Sequence, residues 1–223
     1  MAVLLWDQTG ERFYETGVDR GVLYIPDSGV YDSGYAWNGL VSVTEAPSGA
    51  EATPQYADNI KYLNLVSAEE FGGTIEAFTY PPEFEQCEGI VQPKPGVSVG
   101  QQPRSTFGLS YRTRIGNDVE ADGHAYKLHL VYGALAAPSE KAYNTVNDTP
   151  EAITFSWEFT TTAVADTTTD STLRPTSLIV IDSRTVASAE LTELEGLLYG
   201  TESTEAQLPL PAAVFDIFAG AGG

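Results

Sequence analysis

Residues 151–164 read EAITFSWEFTTTAV and alternate apolar and polar positions for nearly their whole length. Ile153, Phe155, Trp157 and Phe159 fall on one side, and Thr154, Ser156, Glu158 and Thr160 on the other. Successive side chains of a strand point to opposite faces, so the pattern predicts one long strand with an apolar core face and a polar outer face. The apolar set becomes the candidate core of a sheet, and the polar set its wet face.

Working outward, further strand signals occur at GVLYIP (21–26), WNGLVSV (37–43), KYLNLVS (61–67) and GTIEAFTYP (73–81). They continue at STFGLSYRTRIG (105–116), AYKLHLVYGALAAP (125–138), AYNTV (142–146) and TSLIVIDS (176–183). DSGVYDSG (27–34) and the threonine-rich VADTTTDSTLRP (164–175) read as connections. Residues 46–60, beginning APSGAEATPQYADN, carry Pro, Gly, Ala and Ser without periodicity and predict a long loop or arm.

Only SAELTELEGLLYG (188–200) has a helical period, with Leu191, Leu194 and Leu198 on one face and Leu197 beside them. Ser188 is placed to cap its start and Gly200 to end it. The segment 216–223 closes in glycines and reads as a flexible tail. The expectation is a single domain over 1–223, mainly β, a β-sandwich or partial barrel with one flanking α-helix. Residues 1–45 supply an N-terminal arm and the first strands.

Composition narrows the function. Asp+Glu 31 against Lys+Arg 11 gives a formal charge of −20, which repels nucleic acid and anionic membranes. No basic run precedes MAVLLWDQTG, and no apolar stretch approaches the ~20 residues that span a bilayer, so a protein made and kept soluble in a cytosol is expected. The one cysteine, Cys87, lies among carboxylates, which raise a thiol pKa and favour a structural role.

Asp118, Glu120, Asp122 and Gly123 mimic the opening of a calcium-binding EF-hand loop. The twelfth position is His129 rather than a carboxylate, and strands flank the loop, so an acidic hairpin connection is the better reading. His124 and His129 lack a third metal ligand at suitable spacing. His129 alternates with Leu128 and Leu130, on the polar face of its strand. No nucleophile elbow, phosphate loop or dinucleotide fingerprint is present, and abundant acidic residues single out no catalytic pair. No catalytic, cofactor or metal site is expected. Tyr14, Leu23, Tyr24, Trp37 and Leu40, if mobile, would need burial against a neighbouring subunit.

Four blocks carry a resemblance. YADNIKYLNLVSAEEFGGTIEAFTYPPEFEQCEG (56–89), RTRIGND (112–118), YKLHLVYGALAAPSEKAYNTVNDTPEAITFSWEFTTTAV (126–164) and LEGLLYGTESTEAQLPLP (194–211) resemble, in the same order, segments of phage major tail proteins. These are the tail-tube subunits of long flexible-tailed phages, especially those of actinobacteria. The resemblance implies hexameric rings stacked into a tube, neighbouring sheets joined into an inner barrel, and loops and the N-terminal arm linking rings. It implies a virion location after synthesis in the host cytoplasm. Its partners would be further copies of the chain, a tape-measure protein, and tail terminator and baseplate proteins. DNA would be passing cargo only, and no membrane is involved.

On that reading Thr154, Ser156, Glu158 and Thr160 face the lumen, and an acidic lining lets DNA slide. Ile153, Phe155, Trp157, Phe159, Leu191, Leu194 and Leu198 form core. The rival class is a carbohydrate-binding or adhesin sandwich of a phage tail, which requires exposed aromatic rings where Trp157 alternates as core.

Overall fold

The computed structural model describes residues 3–146, 148, 151–165 and 173–219. Its first three strands are β1 (Tyr14–Asp27), β2 (Val30–Trp37) and β3 (Leu40–Glu45). A projecting arm follows, made of β4 (Ser48–Gly49), β5 (Ala52–Ala57), β6 (Ile60–Val66) and β7 (Glu69–Glu70). Next come β8 (Gly72–Ala77), a 3-10 turn (Pro82–Gln86), and the hairpin β9 (Val91–Lys94) and β10 (Val97–Val99). The long strands β11 (Phe107–Asn117) and β12 (Ala121–Ala136) precede β13 (Phe155–Thr161) and β14 (Leu178–Asp182). Helices α1 (Ser188–Tyr199) and α2 (Pro211–Ala219) end the described chain.

The main sheet runs β2–β1–β11–β12–β13–β8–β3, with β14 also on β12, and every pairing is antiparallel. It folds over on itself. Strands β14, β12, β11, β1 and β2 form one layer, and β13, β8 and β3 the other. The fold of the sheet lies at Gly133, where β12 exchanges β14 for β13 along one edge. A φ of +60° there suits glycine, and a Cβ would stand 2.3 Å from the Thr162 carbonyl oxygen.

Alternation along the long strands gives the first layer two apolar faces. Leu23, Phe107, Leu109 and Val131 pack with Ile75, Trp157, Phe159 and Phe84 between the layers. Val22, Tyr24, Leu128, Leu130 and Tyr132 face the other way, against Leu191, Leu194, Leu198 and Val214 of the helices. Tyr24 Oη donates to the Leu198 carbonyl at 2.8 Å, meeting an orphan acceptor at the end of α1. Tyr132 Oη donates to the Pro209 carbonyl at 2.9 Å in the link to α2. The mainly β sandwich with flanking helical cover is therefore as expected, although two helices provide that cover.

Several boundaries differ from the sequence reading. The strand expected over 151–164 is only Phe155–Thr161. Its ladder stops where Ala77, opposite Phe155, ends β8, and where the Thr162 N–H turns to the Gly133 carbonyl. Ile153 and Thr154 lie before it. Residues 46–60 are not a loop, because β5 pairs with β6 through a turn at Asp58 and Asn59, with φ of 50° and 64°. Asp and Asn tolerate that left-handed pair, which defines a tight hairpin. Stretch 27–34 contains the end of β1 and most of β2, and WNGLVSV is split by a second tight turn at Asn38–Gly39.

Residues 142–146 form no strand. Residues 216–219 continue α2, whose apolar run starts at Pro211, a residue suited to a helix start; 220–223 lie outside the described residues. Much of 164–175 likewise lies outside them. Ser188 does not cap α1: Ala187 is the N-cap residue, and the Ser188 carbonyl accepts from Thr192 Oγ1. Leu23, Tyr24 and Trp37 are core rather than mobile, whereas Tyr14 is exposed.

Removing Phe159 empties the inter-layer core, where its ring meets Phe71 and Phe107. Phe159→Ala should cost about 3–5 kcal/mol in denaturant unfolding. Thr160→Ala, one residue on and exposed, should stay within about 0.5 kcal/mol.

Candidate assembly surfaces

The outer face of β3, β8 and β13 collects the polar residues of the opening stretch. Register aligns Ser42, Glu76 and Ser156 in one row and Thr44, Thr74 and Glu158 in the next. Ser42 Oγ donates to Glu76 Oε2 at 2.9 Å. Glu158, Thr160 and Thr154 are exposed and Ser156 is half-buried. None of the three strands contains a Lys or Arg, so this face is polar and anionic. Opposite it, Trp157 and Phe159 are each 1% exposed and Phe155 packs on the same core. Ile153 is half-buried. Leu191, Leu194 and Leu198 are buried as expected.

The β5–β6 hairpin is exposed along its whole length. It displays Tyr56, Ile60, Tyr62, Leu63, Leu65 and Val66 to solvent. A lone two-stranded hairpin has marginal stability in water, and apolar groups on it serve best when something covers them. The β9–β10 hairpin shows Val91, Val97 and Val99 in the same way. At the N-terminus, Val3, Leu4, Leu5 and Trp6 are exposed. The segment that follows is pinned to the β11–β12 turn, where the Gly10 N–H donates to Asp118 Oδ1 at 2.9 Å and Asn117 Nδ2 donates to the Gly10 carbonyl at 3.2 Å.

The arm has a built root. Ala46 N–H donates to the Gly72 carbonyl at 2.8 Å, joining its two ends. The Phe71 carbonyl accepts from both the N–H and Oγ1 of Thr161. Glu45, the last residue of β3, accepts from Tyr111 Oη at 2.7 Å and lies 3.0 Å from His129 Nδ1. That nitrogen has no aligned hydrogen-bond partner. His129 is buried, stacks on Tyr111 at 4.6 Å and pairs through Nε2 with Thr113 Oγ1 at 3.0 Å. The polar-face position expected of it is therefore the inner face of a sheet, covered by the β3 terminus. No local sequence signal joins Glu45 to residues so far along the chain.

The acidic stretch 115–124 is the β11–β12 turn, and its carboxylates are spent on protein donors. Asp118 holds the N-terminal segment, Asp122 pairs with Arg114 at 2.9 Å, and Glu120 meets His124 at 2.5 Å. Nearby, the Arg112 and Arg114 guanidinium groups hold the Asp19 carboxyl below its usual range, Arg112 foremost. Cys87 is buried, and burial, then Glu88, pushes its thiol up to about 12, as its structural reading requires. Among the described residues no helix is long and apolar enough to cross a membrane.

No protein-family model matches the chain, and no curated protein matches it. Among solved structures, the chain is similar to one in a cryo-EM structure of the anti-feeding prophage baseplate. The two share 9% identity at a TM-score of 0.37, over 81% of this chain and 97% of that chain.

The His129 contact, then the Tyr111 hydroxyl, hold the Glu45 carboxyl below its ordinary 4.5 against the opposing effect of burial. A depressed carboxyl stabilises the fold above its unfolded value and loses that contribution as pH falls through the folded one. Acidification below about pH 4.5 should therefore loosen the arm root first. Hydrogen exchange over 46–70 should rise with acid in the wild type. Glu45→Gln should show that faster exchange already at pH 7, with a flatter pH response.

Proposed function

We propose that the chain is a structural protein of a phage tail, and specifically a tail-tube subunit that assembles with copies of itself into stacked rings. The observation that carries this reading is the β5–β6 hairpin, whose exposed Tyr56, Ile60, Tyr62 and Leu65 project from a folded body. The four sequence blocks resembling tail-tube subunits support it. So do the ladder ends: among the described residues, β3 and β14 have no strand on their outer edges, while β2 has a single bridge, Tyr31 to Leu208. Open edges in a monomer invite pairing with another chain.

On this reading the anionic face of β3, β8 and β13 lines the lumen, with Glu76 and Glu158 presented to passing DNA. Like charge and the lack of Lys or Arg leave nothing to hold phosphates by counterion release. The hairpins and the Val3–Trp6 stretch make the contacts between rings, a heterologous packing that propagates along an axis. The role requires no turnover, cofactor or metal. For the adhesin alternative, Trp37 and Trp157 are buried and offer no ring to a sugar, and the exposed rings of Trp6, Tyr56 and Tyr62 stand on the N-terminal segment and the arm rather than on the sandwich face.

Concentrated protein should form tubes visible by negative-stain microscopy and sedimenting as large species. Tyr62→Ser combined with Leu65→Asp should abolish them while leaving the monomer's unfolding within about 0.5 kcal/mol of wild type, because both sites are exposed. A protein that stays monomeric at all concentrations and salts and binds glycans would overturn the proposal. A net basic lumen in a mapped tube would overturn the lining alone.

A further inference from the structure

Outside these surfaces, four groups converge on one cation. Lys141 Nζ donates to Glu88 Oε2 at 2.8 Å and lies as close to Oε1. It sits 4.8 Å from the ring centre of Tyr80, 5.5 Å from that of Phe155 and 6.0 Å from that of Trp157. The Glu88 side chain is 6% exposed and also accepts from Trp157 Nε1 at 2.6 Å. The rings are locked in turn, Tyr80 standing edge-on to both Phe155 and Trp157. An anion this deeply buried needs a permanent counter-charge, and aromatic faces add attraction for a desolvated ammonium. Tyr80, Glu88, Phe155 and Trp157 come from the links around the 3-10 turn and from β13, all rigid parts of the core. Lys141 lies between β12 and β13, next to residues 142–146, which form no strand and are exposed. The box thus belongs to the body, and its occupant to a strap.

We propose that Tyr80, Glu88, Phe155 and Trp157 form a binding site for a primary alkylammonium group, filled in the isolated subunit by Lys141 of the same chain as a latch on the strap. The Lys141 side chain is 19% exposed, so the site opens to solvent and a competing ligand has an entry. Glu88 takes its hydrogen bonds from N–H groups, so the site prefers a primary ammonium to a quaternary one, which has none to donate.

The test uses the full chain with Lys141→Met, which keeps the stem and removes the charge, and n-butylammonium as probe. The variant should lose roughly 5–15 °C in Tm, the scale for an unpaired buried charge in a chain of this length. Hydrogen exchange should rise across 138–146. Millimolar n-butylammonium should restore most of the Tm and change the tryptophan fluorescence, whereas sodium at equal ionic strength should not. Tetramethylammonium should be at least about tenfold weaker, on the usual strength of a charge-assisted hydrogen bond. A folded Lys141→Met protein indifferent to n-butylammonium would overturn the site, and equal rescue by tetramethylammonium would overturn its primary-ammonium character. Should Lys141→Met fail to fold alone, folding in n-butylammonium supports the proposal and failure to fold in it counts against it. Glu88→Gln with Lys141→Met removes both charges, and this double variant should be stable and unresponsive; a retained response would also overturn the site.

Discussion

The exchange of partners along one edge of β12 governs the rest of the structure. β12, sixteen residues long, pairs with β14 through Lys127–Val131 and with β13 through Ala134–Ala136. Between them, Gly133 takes a left-handed conformation with no room for a Cβ. Its backbone is still satisfied, since the N–H donates to Tyr31 Oη at 3.0 Å and the carbonyl accepts from the Thr162 N–H at 3.0 Å. A bend that left either group bare and buried would cost about 1–3 kcal/mol. One ladder therefore folds over into two layers with no break in hydrogen bonding. The sandwich follows from that bend, as does the direction in which β13 leaves with Trp157 and Phe159 facing inward.

With both faces of the β1–β11–β12 layer consumed, one by β13 and β8 and the other by α1 and α2, the surfaces left for a partner that stand out are few. These are the polar face of β3, β8 and β13, the two hairpins and the N-terminal segment. None is a deep enclosed cleft with converging chemistry. All are extended surfaces of the sort one protein offers another. The arm is the most specific of them because its root is engineered into the core: Glu45 ends β3 and reaches across to Tyr111 and His129, while Phe71 is pinned by Thr161. A hairpin hung from two fixed points keeps its direction even while its tip is free, which is what a repeating contact between identical copies requires.

Alternation and leucine spacing made the element types legible. The strands containing Leu23, Ile75, Leu109, Val131, Trp157 and Ile181 and the helix through Leu191, Leu194 and Leu198 follow from their own local patterns. Boundaries were harder, because a strand ends where its partner does. Nothing within 151–164 announces that β8 stops opposite Phe155. Two hairpin turns were legible in principle, as Asn38–Gly39 and Asp58–Asn59, but the Pro and Ala around the second hid it in a loop-like composition. Helix α2 was obscured because its apolar residues run on without a polar face. The long-range pairs, Glu45 with His129 and Lys141 with Glu88, have no local signature at all. They depend on the fold-over at Gly133, which brings together residues separated by scores of positions.

Charge placement carries the synthesis one step further. Of the eleven Lys and Arg residues, Arg12, Arg20, Arg112, Arg114, Lys127, Lys141 and Arg184 each face a carboxylate of the chain itself. Arg104 donates to the Ala136 carbonyl at 3.0 Å. Lys61 and Lys94, on β6 and β9 of the two projecting hairpins, make no ion pair among the described residues, and the eleventh, Arg174, is exposed in the link before β14. Most positive charge is thus absorbed within the body, while the β3–β8–β13 face holds carboxylates and no cation. Such a distribution repels copies that would approach through their β3–β8–β13 faces and keeps that face free of a neighbour's hairpin. At physiological salt the discrimination acts only within a screening length of about 8 Å. In the assembly proposed above, whose contacts would use the apolar Tyr62 and Leu65, charge would therefore choose the register of a contact whose affinity comes from burial.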